Sequence, residues 1–225
     1  MKPIRVALIH ATALAMLPIQ QAFARHWPQA EGLNLLDDSL SRDRAQAGEL
    51  TPAMVQRFID LAQYAQRAGS QGILFTCSAF GPAIEAAGRA TGLPTLKPNE
   101  AMFEQALALP APTGVLRLGL VATFEASIPS MSEEFLALAA QRSVKVVLHS
   151  VFVPHAMSDL AAGQAESHHQ RIAQALSQLP DCDGIMLAQF SMAAAQPLCQ
   201  QHARVPVLSS PDCAVLALQQ AMHHV

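Results

Sequence analysis

The sequence predicts an α/β fold with two pseudo-symmetric domains, each built on a doubly wound parallel sheet. Three observations predict this architecture. Short apolar segments alternate with helical ones, the alternation runs through the chain twice, and a shift of 112 positions brings the two halves into register. Because the connections between strands are long enough for crossover helices, the strands of each half are expected to be parallel.

Eight apolar segments have the length of strands. In the first half they are Ile4–Ile9, Leu33–Leu36, Gly72–Thr76 and Thr95–Lys97, and in the second half they are Leu118–Ala122, Lys145–Phe152, Gly184–Ala188 and Val207–Ser209. The helices predicted between them include Thr51–Arg67, with Thr51 as its cap and Pro52 in its first turn, and Gly163–Gln178.

Matching residues at the 112-residue spacing indicate that one α/β unit was duplicated. The matches are Arg5 with Arg117, Leu8 with Leu120, Phe23 with Phe135, Leu36 with Leu148, Gly72-Ile73 with Gly184-Ile185, Pro94 with Pro206, and Leu96 with Leu208. They align without a gap and predict a first domain of residues 1–98, completed by a C-terminal helix over 211–225, and a second domain of residues 99–210. The carboxyl ends of both sheets are expected to face a shared cleft, where ligands of open α/β sheets bind.

The composition excludes several classes of protein. With 225 residues, 51% of them hydrophobic and 14% charged, the chain can bury a large core, so disorder is excluded. A net charge of -3 without a basic block argues against a nucleic-acid partner, and the apolar runs are too short to cross a membrane. We interpret the apolar amino terminus as a strand rather than a secretory signal, and the cysteines lack CxxC pairing, so a cytoplasmic protein is expected.

Cys77 is the main candidate for a reactive group. It lies in Thr76-Cys77-Ser78, between a buried strand and a helix that opens around Pro82. Backbone N–H groups and the helix dipole at such a turn favour anions and can lower the pKa of a thiol, so Cys77 is predicted to be a thiolate nucleophile or base. The alternative is a buried, inert cysteine, the class to which we assign Cys182, Cys199 and Cys213.

The second half carries a different residue at the matching strand end. Gln189 stands where the repeat would place a second cysteine, and Phe190 and Ser191 follow it. After the first strand of this half, the hydroxyls of Thr123 and Ser127 and the neighbouring backbone amides suit a carboxylate; helix capping is the competing interpretation.

His10 ends the first strand, with Thr12 just beyond it. At that position His10 is expected to share a proton with Cys77 or to bind a carboxylate, and a structural role is the alternative. No histidine, acidic residue or cysteine cluster has metal-ligand spacing, and no GxGxxG or GxxxxGK[ST] motif follows the first strand. We therefore predict neither a metal nor a cofactor.

These residues together resemble the aspartate/glutamate/hydantoin racemase superfamily. The resemblance spans the chain and rests on Thr76-Cys77-Ser78, on Ala122-Thr123 with Ser127, and on Leu187-Ala-Gln-Phe-Ser191. It implies a cofactor-independent enzyme with two pseudo-symmetric α/β domains, in which hydroxyls and backbone amides hold a substrate carboxylate. Strand-end position and this resemblance together give Cys77, Gln189 and His10 as the candidate catalytic residues, and Thr12, Ser78, Thr123, Ser127, Phe190 and Ser191 as the candidate substrate-binding residues.

Gln189 departs from the family pattern because its carboxamide cannot take or return a proton. Either His10 or another group supplies the missing proton, or the reaction needs one thiol, or the site binds without turnover. The first interpretation is a racemase or isomerase acting at the carbon next to the carboxylate of a small (amino) acid or related anion. The alternatives are a single-cysteine decarboxylase or lyase acting on a malonate-like or dicarboxylate substrate, and a non-catalytic small-molecule binding protein. A homodimer or higher homo-oligomer is expected.

Overall fold

The computed structural model describes residues 3–223 and divides the chain into two compact units. Unit 1 comprises Met1–Ala101 together with Ala214–Val225, and unit 2 comprises Met102–Cys213. Residues 1, 2, 224 and 225, which the sequence analysis placed in the first domain and its C-terminal helix, lie outside the described residues.

Unit 1 is a four-stranded parallel sheet flanked by helices. The strands are β1 (Ile4–His10), β2 (Ala30–Leu36), β3 (Gly72–Phe75) and β4 (Thr95–Leu96). Their order in the sheet is β2-β1-β3-β4. The helices are α1 (Met16–His26), α2 (Leu40–Ala47), α3 (Pro52–Arg67) and α4 (Gly81–Thr91), with α5 (Glu100–Leu107) at the unit boundary.

Unit 2 repeats the arrangement with the strand order β6-β5-β7-β8, again all parallel. Its strands are β5 (Leu116–Ala122), β6 (Val146–Phe152), β7 (Gly184–Leu187) and β8 (Val207–Ser209). Its helices are α6 (Ile128–Gln141), α7 (Ala156–Ala161), α8 (Ala165–Ala175) and α9 (Gln196–His202), and α10 (Ser210–His223) passes into unit 1 at Ala214. The predicted fold class, α/β with two parallel sheets flanked by helices, is confirmed.

The strand registers test the repeat directly. Val6 lies opposite Gly72 in unit 1, and Leu118 lies opposite Gly184 in unit 2, so the first and third strands keep the 112-residue spacing. The ungapped alignment is wrong for the second strands. His10 pairs with Leu36 and Ala122 pairs with Phe152, which makes Phe152, not Leu148, the counterpart of Leu36. The connection from β5 to β6 is four residues longer than the connection from β1 to β2.

Helix α3 shows how local sequence determines an element. The Thr51 hydroxyl accepts a hydrogen bond from the Met54 amide at 3.3 Å, and Pro52 occupies the first turn, as predicted. Its apolar stripe reaches Phe58, which stacks on Phe75 with ring centroids 5.1 Å apart. This stripe packs α3 into a hydrophobic core cluster of unit 1.

The predicted helix over Gly163–Gln178 is divided differently in the structure. Gly163 has a positive φ of 75° just after α7, so the chain turns there before α8 begins. Helix α8 ends at Ala175, and Leu176–Gln178 forms a 3-10 turn. Within residues 3–223 no helix combines the length and the apolar character that a membrane crossing requires.

Candidate active site

Cys77 lies just beyond the carboxyl end of β3. Its backbone is extended, with φ -124° and ψ 117°, and it is the residue before the 3-10 turn Ser78–Phe80. Within the described part of the chain its side chain does not cap that turn. The side chain is half-buried and packs against the core cluster of unit 1. The strand end therefore holds the thiol at the edge of the core.

His10 lies at the end of β1 with its ring almost completely buried. Its Nδ1 atom is 2.8 Å from the Thr76 hydroxyl, and its Nε2 atom is 2.9 Å from the Asn34 side-chain oxygen. A carboxamide oxygen only accepts hydrogen bonds, so Nε2 carries the hydrogen. With the ring neutral, Nδ1 accepts from the Thr76 hydroxyl at 2.8 Å, a shorter contact than the 3.4 Å from that hydroxyl to the Ile9 carbonyl. The ring is thereby fixed in one neutral tautomer.

Burial lowers the pKa of His10, and the hydrogen bond to Asn34 opposes that effect by favouring the protonated ring. At neutral pH the imidazole is therefore uncharged, with both nitrogens already hydrogen-bonded. Its contacts are with Thr76 and Asn34, and proton sharing with Cys77 stays a prediction. The sequence analysis missed Asn34, although a polar residue inside the apolar second strand was the available signal.

Thr12 and Ser78, two predicted substrate contacts, lie in the turns that follow β1 and β3. The Thr12 side chain accepts a hydrogen bond from the Leu14 amide at 3.4 Å and so caps the short 3-10 helix there. Ser78 is exposed at the first position of its turn. Thr12 thus has a structural contact of its own, whereas Ser78 is exposed.

Gln189 occupies the corresponding place in unit 2. It precedes the 3-10 helix Phe190–Ala195 with an extended backbone, φ -106° and ψ 147°. Its Oε1 atom accepts from the Thr123 amide at 2.8 Å and from the Thr123 hydroxyl at 3.1 Å. Its Nε2 atom donates to the Ser127 hydroxyl at 2.9 Å. Three hydrogen bonds therefore hold the carboxamide.

The chemistry of the partners fixes the orientation of that carboxamide. A backbone N–H can only donate, so the atom that faces the Thr123 amide is the oxygen and the other is the nitrogen. The Ser127 hydroxyl donates to the Phe124 carbonyl at 2.7 Å, so it accepts from Gln189. Gln189 is thus a rigid, neutral hydrogen-bonding group that does not act as an acid or a base.

The structure brings together Thr123, Ser127 and Gln189, which the sequence analysis singled out separately. Thr123 is buried, and its amide and hydroxyl both point at one oxygen atom, as the donors of an oxyanion site do. Here the Gln189 oxygen occupies that position. Phe190 is buried, and Ser191 is half-buried in the 3-10 helix that follows.

The other cysteines lie in unfavourable surroundings for a thiolate. Burial raises the pKa of Cys199 to about 11 and that of Cys213 to about 12. Burial and the neighbouring carboxylates of Asp183 and Asp181 raise the pKa of Cys182. Among residues 3–223, His, Cys, Asp and Glu side chains form no group of three or more that could hold a metal ion.

Comparison with known proteins relates this geometry to one family. The family model for Asp/Glu/Hydantoin racemase matches residues 6–218. The chain matches no curated protein sequence.

Several solved structures have the same fold. An allantoin racemase from Klebsiella pneumoniae is 18% identical, with a TM-score of 0.70, and the match covers 98% of this chain and 88% of that one. A glutamate racemase from Bacillus anthracis is 17% identical, with a TM-score of 0.69 and coverage of 100% and 83%. An arylmalonate decarboxylase is 19% identical, with a TM-score of 0.62 and coverage of 96% and 91%. On the family match, which extends over nearly the whole sequence, the chain belongs to the Asp/Glu/hydantoin racemase family.

Proposed function

We propose that this protein is a cofactor-independent enzyme that acts at the carbon next to the carboxylate of a small acid, with Cys77 as its thiolate base or nucleophile. Family membership and the racemases and decarboxylase among the similar structures support an enzyme. The observation that carries the proposal is Gln189, a hydrogen-bonded amide at the strand end that matches Cys77. The reaction therefore uses one thiol.

Cys77 would perform the proton transfer. As a thiolate it removes the proton from the carbon, and the electron pair of the broken C–H bond moves into the carboxylate as an enolate. In a decarboxylation, the bond to a second carboxylate breaks instead and CO₂ leaves. The resulting enolate then takes a proton from the Cys77 thiol, which solvent replaces.

Gln189 would stabilise the developing negative charge. Its Nε2 atom has two hydrogens, of which Ser127 receives one, so the second can be donated to a carboxylate or enolate oxygen. Because the three hydrogen bonds hold the amide beforehand, little reorganisation is needed when the charge forms. We assign the carboxylate contacts to the polar strand-end residues and their neighbour, namely Thr12, Ser78, Thr123, Ser127, Phe190 and Ser191.

Racemisation or isomerisation is the first candidate reaction, because the family and two of the similar structures are racemases. A racemase protonates the enolate on the face opposite the base, and here water or a group other than Gln189 would do so. A single-cysteine decarboxylase or lyase is the second candidate. The neutral, immobile Gln189 favours it, since protonation from one thiol is sufficient for that reaction. We propose a cytoplasmic homo-oligomer in either case.

Proton NMR in D₂O tests the proposal on a panel of single enantiomers of aspartate and glutamate, maleate and 2-substituted malonates. Exchange at the carbon next to the carboxylate with formation of the other enantiomer identifies a racemase, and loss of CO₂ with uptake of one deuteron identifies a decarboxylase. Cys77→Ala must abolish either signal. The matched control is Cys182→Ala, which removes the other half-buried cysteine and must leave it intact. Conversion that survives Cys77→Ala contradicts the proposal.

A further inference from the structure

The buried pair His10 and Thr76 occurs in only one of the two units. In the repeat, the counterparts of these residues are Ala122 and Ala188. The backbone is the same in both places, because the Thr76 amide donates to the Ile9 carbonyl at 3.1 Å and the Ala188 amide donates to the Val121 carbonyl at 2.9 Å. Two alanines therefore suffice to build this strand end, and the fold does not require the polar pair.

A buried imidazole and a buried hydroxyl are costly unless each polar atom is hydrogen-bonded. In unit 1 they are: Nδ1 of His10 bonds Thr76, and Nε2 bonds Asn34 on the neighbouring strand β2. The residue that matches Asn34 in unit 2 is Ser150, which is exposed. Three polar residues, two on strands β1 and β2 and one just beyond β3, are thus joined in one unit and replaced together in the other.

The hydrogen-bonded series of Asn34, His10 and Thr76 ends next to Cys77. The amide of Thr76 is held by the Ile9 carbonyl, and its hydroxyl is held by Nδ1 of His10 at 2.8 Å, with the Ile9 carbonyl farther away at 3.4 Å. Both bonds act on the residue immediately before Cys77, so they restrict the direction in which the thiol can leave the strand end. A fixed direction is valuable for a reacting group, because a misplacement of about 1 Å can reduce the rate by about a hundredfold.

We propose that His10 is a positioning residue, whose neutral ring orients the turn that carries Cys77 through its hydrogen bond to Thr76. The inference rests on the proposed function of Cys77 as the reacting thiol. It differs from an acid/base role for His10, because both ring nitrogens are already hydrogen-bonded, Nδ1 to Thr76 and Nε2 to Asn34. His10 and Thr76 act as one unit, and Asn34 fixes the tautomer.

The test uses a double variant, His10→Ala with Thr76→Ala, which reproduces the alanine pair of unit 2 and is therefore expected to fold. The rate at which iodoacetamide alkylates each cysteine is followed by peptide mass spectrometry from about pH 6 to about pH 10. We expect the alkylation rate of Cys77 in the double variant to differ from its wild-type rate by about tenfold, while the alkylation rate of Cys182 in unit 2 stays constant. Thr76→Ser keeps the hydroxyl and should keep the wild-type rate, whereas Thr76→Val removes it and should behave like the double variant.

The outcomes separate the two proposals. If Cys77 of the wild-type protein reacts no faster than Cys182, the proposed function fails. If wild-type Cys77 reacts rapidly and the folded double variant and Thr76→Val keep its rate profile, the positioning role fails alone. Thermal unfolding of every variant establishes that the compared proteins are folded.

Discussion

In unit 1 the carboxyl end of the third strand carries Cys77, and in unit 2 the matching position carries Gln189, although both residues have extended backbones before a 3-10 helix. The surroundings differ as much as the residues do. Cys77 packs against an apolar core and follows a hydroxyl held by a buried histidine. Gln189 is bonded to the amide and hydroxyl of Thr123 and to Ser127.

This difference indicates how a duplicated fold divides its chemistry. The backbone register between the first and third strands is retained in both units, so the sheets themselves place no restriction on which half reacts. In this chain the titratable group is found at one strand end and a neutral hydrogen-bond donor at the other. The predictions below compare residues of unit 1 with residues of unit 2.

The largest effect is expected from Cys77→Ala, which removes the proposed reacting atom. Turnover should fall by roughly a thousandfold or more, as it does when a nucleophile or base is removed from an enzyme. Stability should change little, because the side chain is only half-buried. Steady-state rates and thermal unfolding measure the two effects. Activity within about tenfold of the wild-type rate would place the reacting group elsewhere.

Acid sensitivity should distinguish the buried histidines of the two units. Both ring nitrogens of His10 are hydrogen-bonded, whereas within the described chain those of His168 have no partner. Burial lowers the pKa of His168 from 6.5 to about 4, and the adjacent His169 adds to the effect. As the pH falls, the unfolded chain therefore binds a proton at His168 before the folded protein does. The stability that the neutral His168 ring gives to the folded protein is complete above pH 6.5 and declines as the pH falls towards 4.

The free energy of unfolding should consequently drop by roughly 3 kcal/mol between about pH 7 and about pH 4 on account of His168. Urea unfolding across this range measures the drop. His168→Leu fills the same apolar surroundings without a titratable group and should remove most of that dependence. An unchanged slope in this variant would show that other groups control the acid sensitivity.

Replacing Gln189 should affect catalysis less than replacing Cys77. Gln189→Leu removes the proposed donor, and kcat should fall by about a hundredfold. It also leaves the amide and hydroxyl of Thr123 without their acceptor, which costs about 1 to 3 kcal/mol of stability. Gln189→Cys instead supplies a second thiol, and exchange in D₂O should then occur on both faces of the carbon. A kcat unaffected by Gln189→Leu would exclude Gln189 from the reaction.

The smallest effect is expected at two matched glycines, Gly72 and Gly184. A methyl group at Gly72 would meet the flexible Met222 side chain, with the sulfur 2.6 Å away. At Gly184 it would meet the branched side chains of Leu109 and Leu118. Gly184→Ala should therefore destabilise the protein by about 1 to 2 kcal/mol more than Gly72→Ala. Equal unfolding free energies for the two variants would contradict this ranking.

Much of the fold was predictable because strand alternation and the repeat depend on local patterns. The 112-residue spacing, which relates Val6 to Leu118, correctly predicted the register between the first and third strands of each unit. It failed at Leu148, because the additional residues before β6 lie in a connection, where length varies without changing the sheet.

The strand-end positions of the candidate site residues were predictable, and their hydrogen bonds were not. Strand ends indicated Cys77, Gln189 and Thr123, since the carboxyl ends of parallel strands carry ligand-binding residues in this class of fold. The sequence cannot show that Gln189 accepts from Thr123, because hydrogen bonds between residues far apart in the chain depend on side-chain directions. Asn34 was missed for the same reason.

The rate of iodoacetamide alkylation at about pH 7, measured separately for each cysteine of the native protein, tests the reactivity of Cys77 most directly. Cys77 should react at least about tenfold faster than Cys182, whose pKa is raised by burial and by Asp183 and Asp181, and Cys199 and Cys213 should react more slowly still. A Cys77 that reacts at the rate of Cys182 or below would contradict the assignment of the reacting thiol to unit 1.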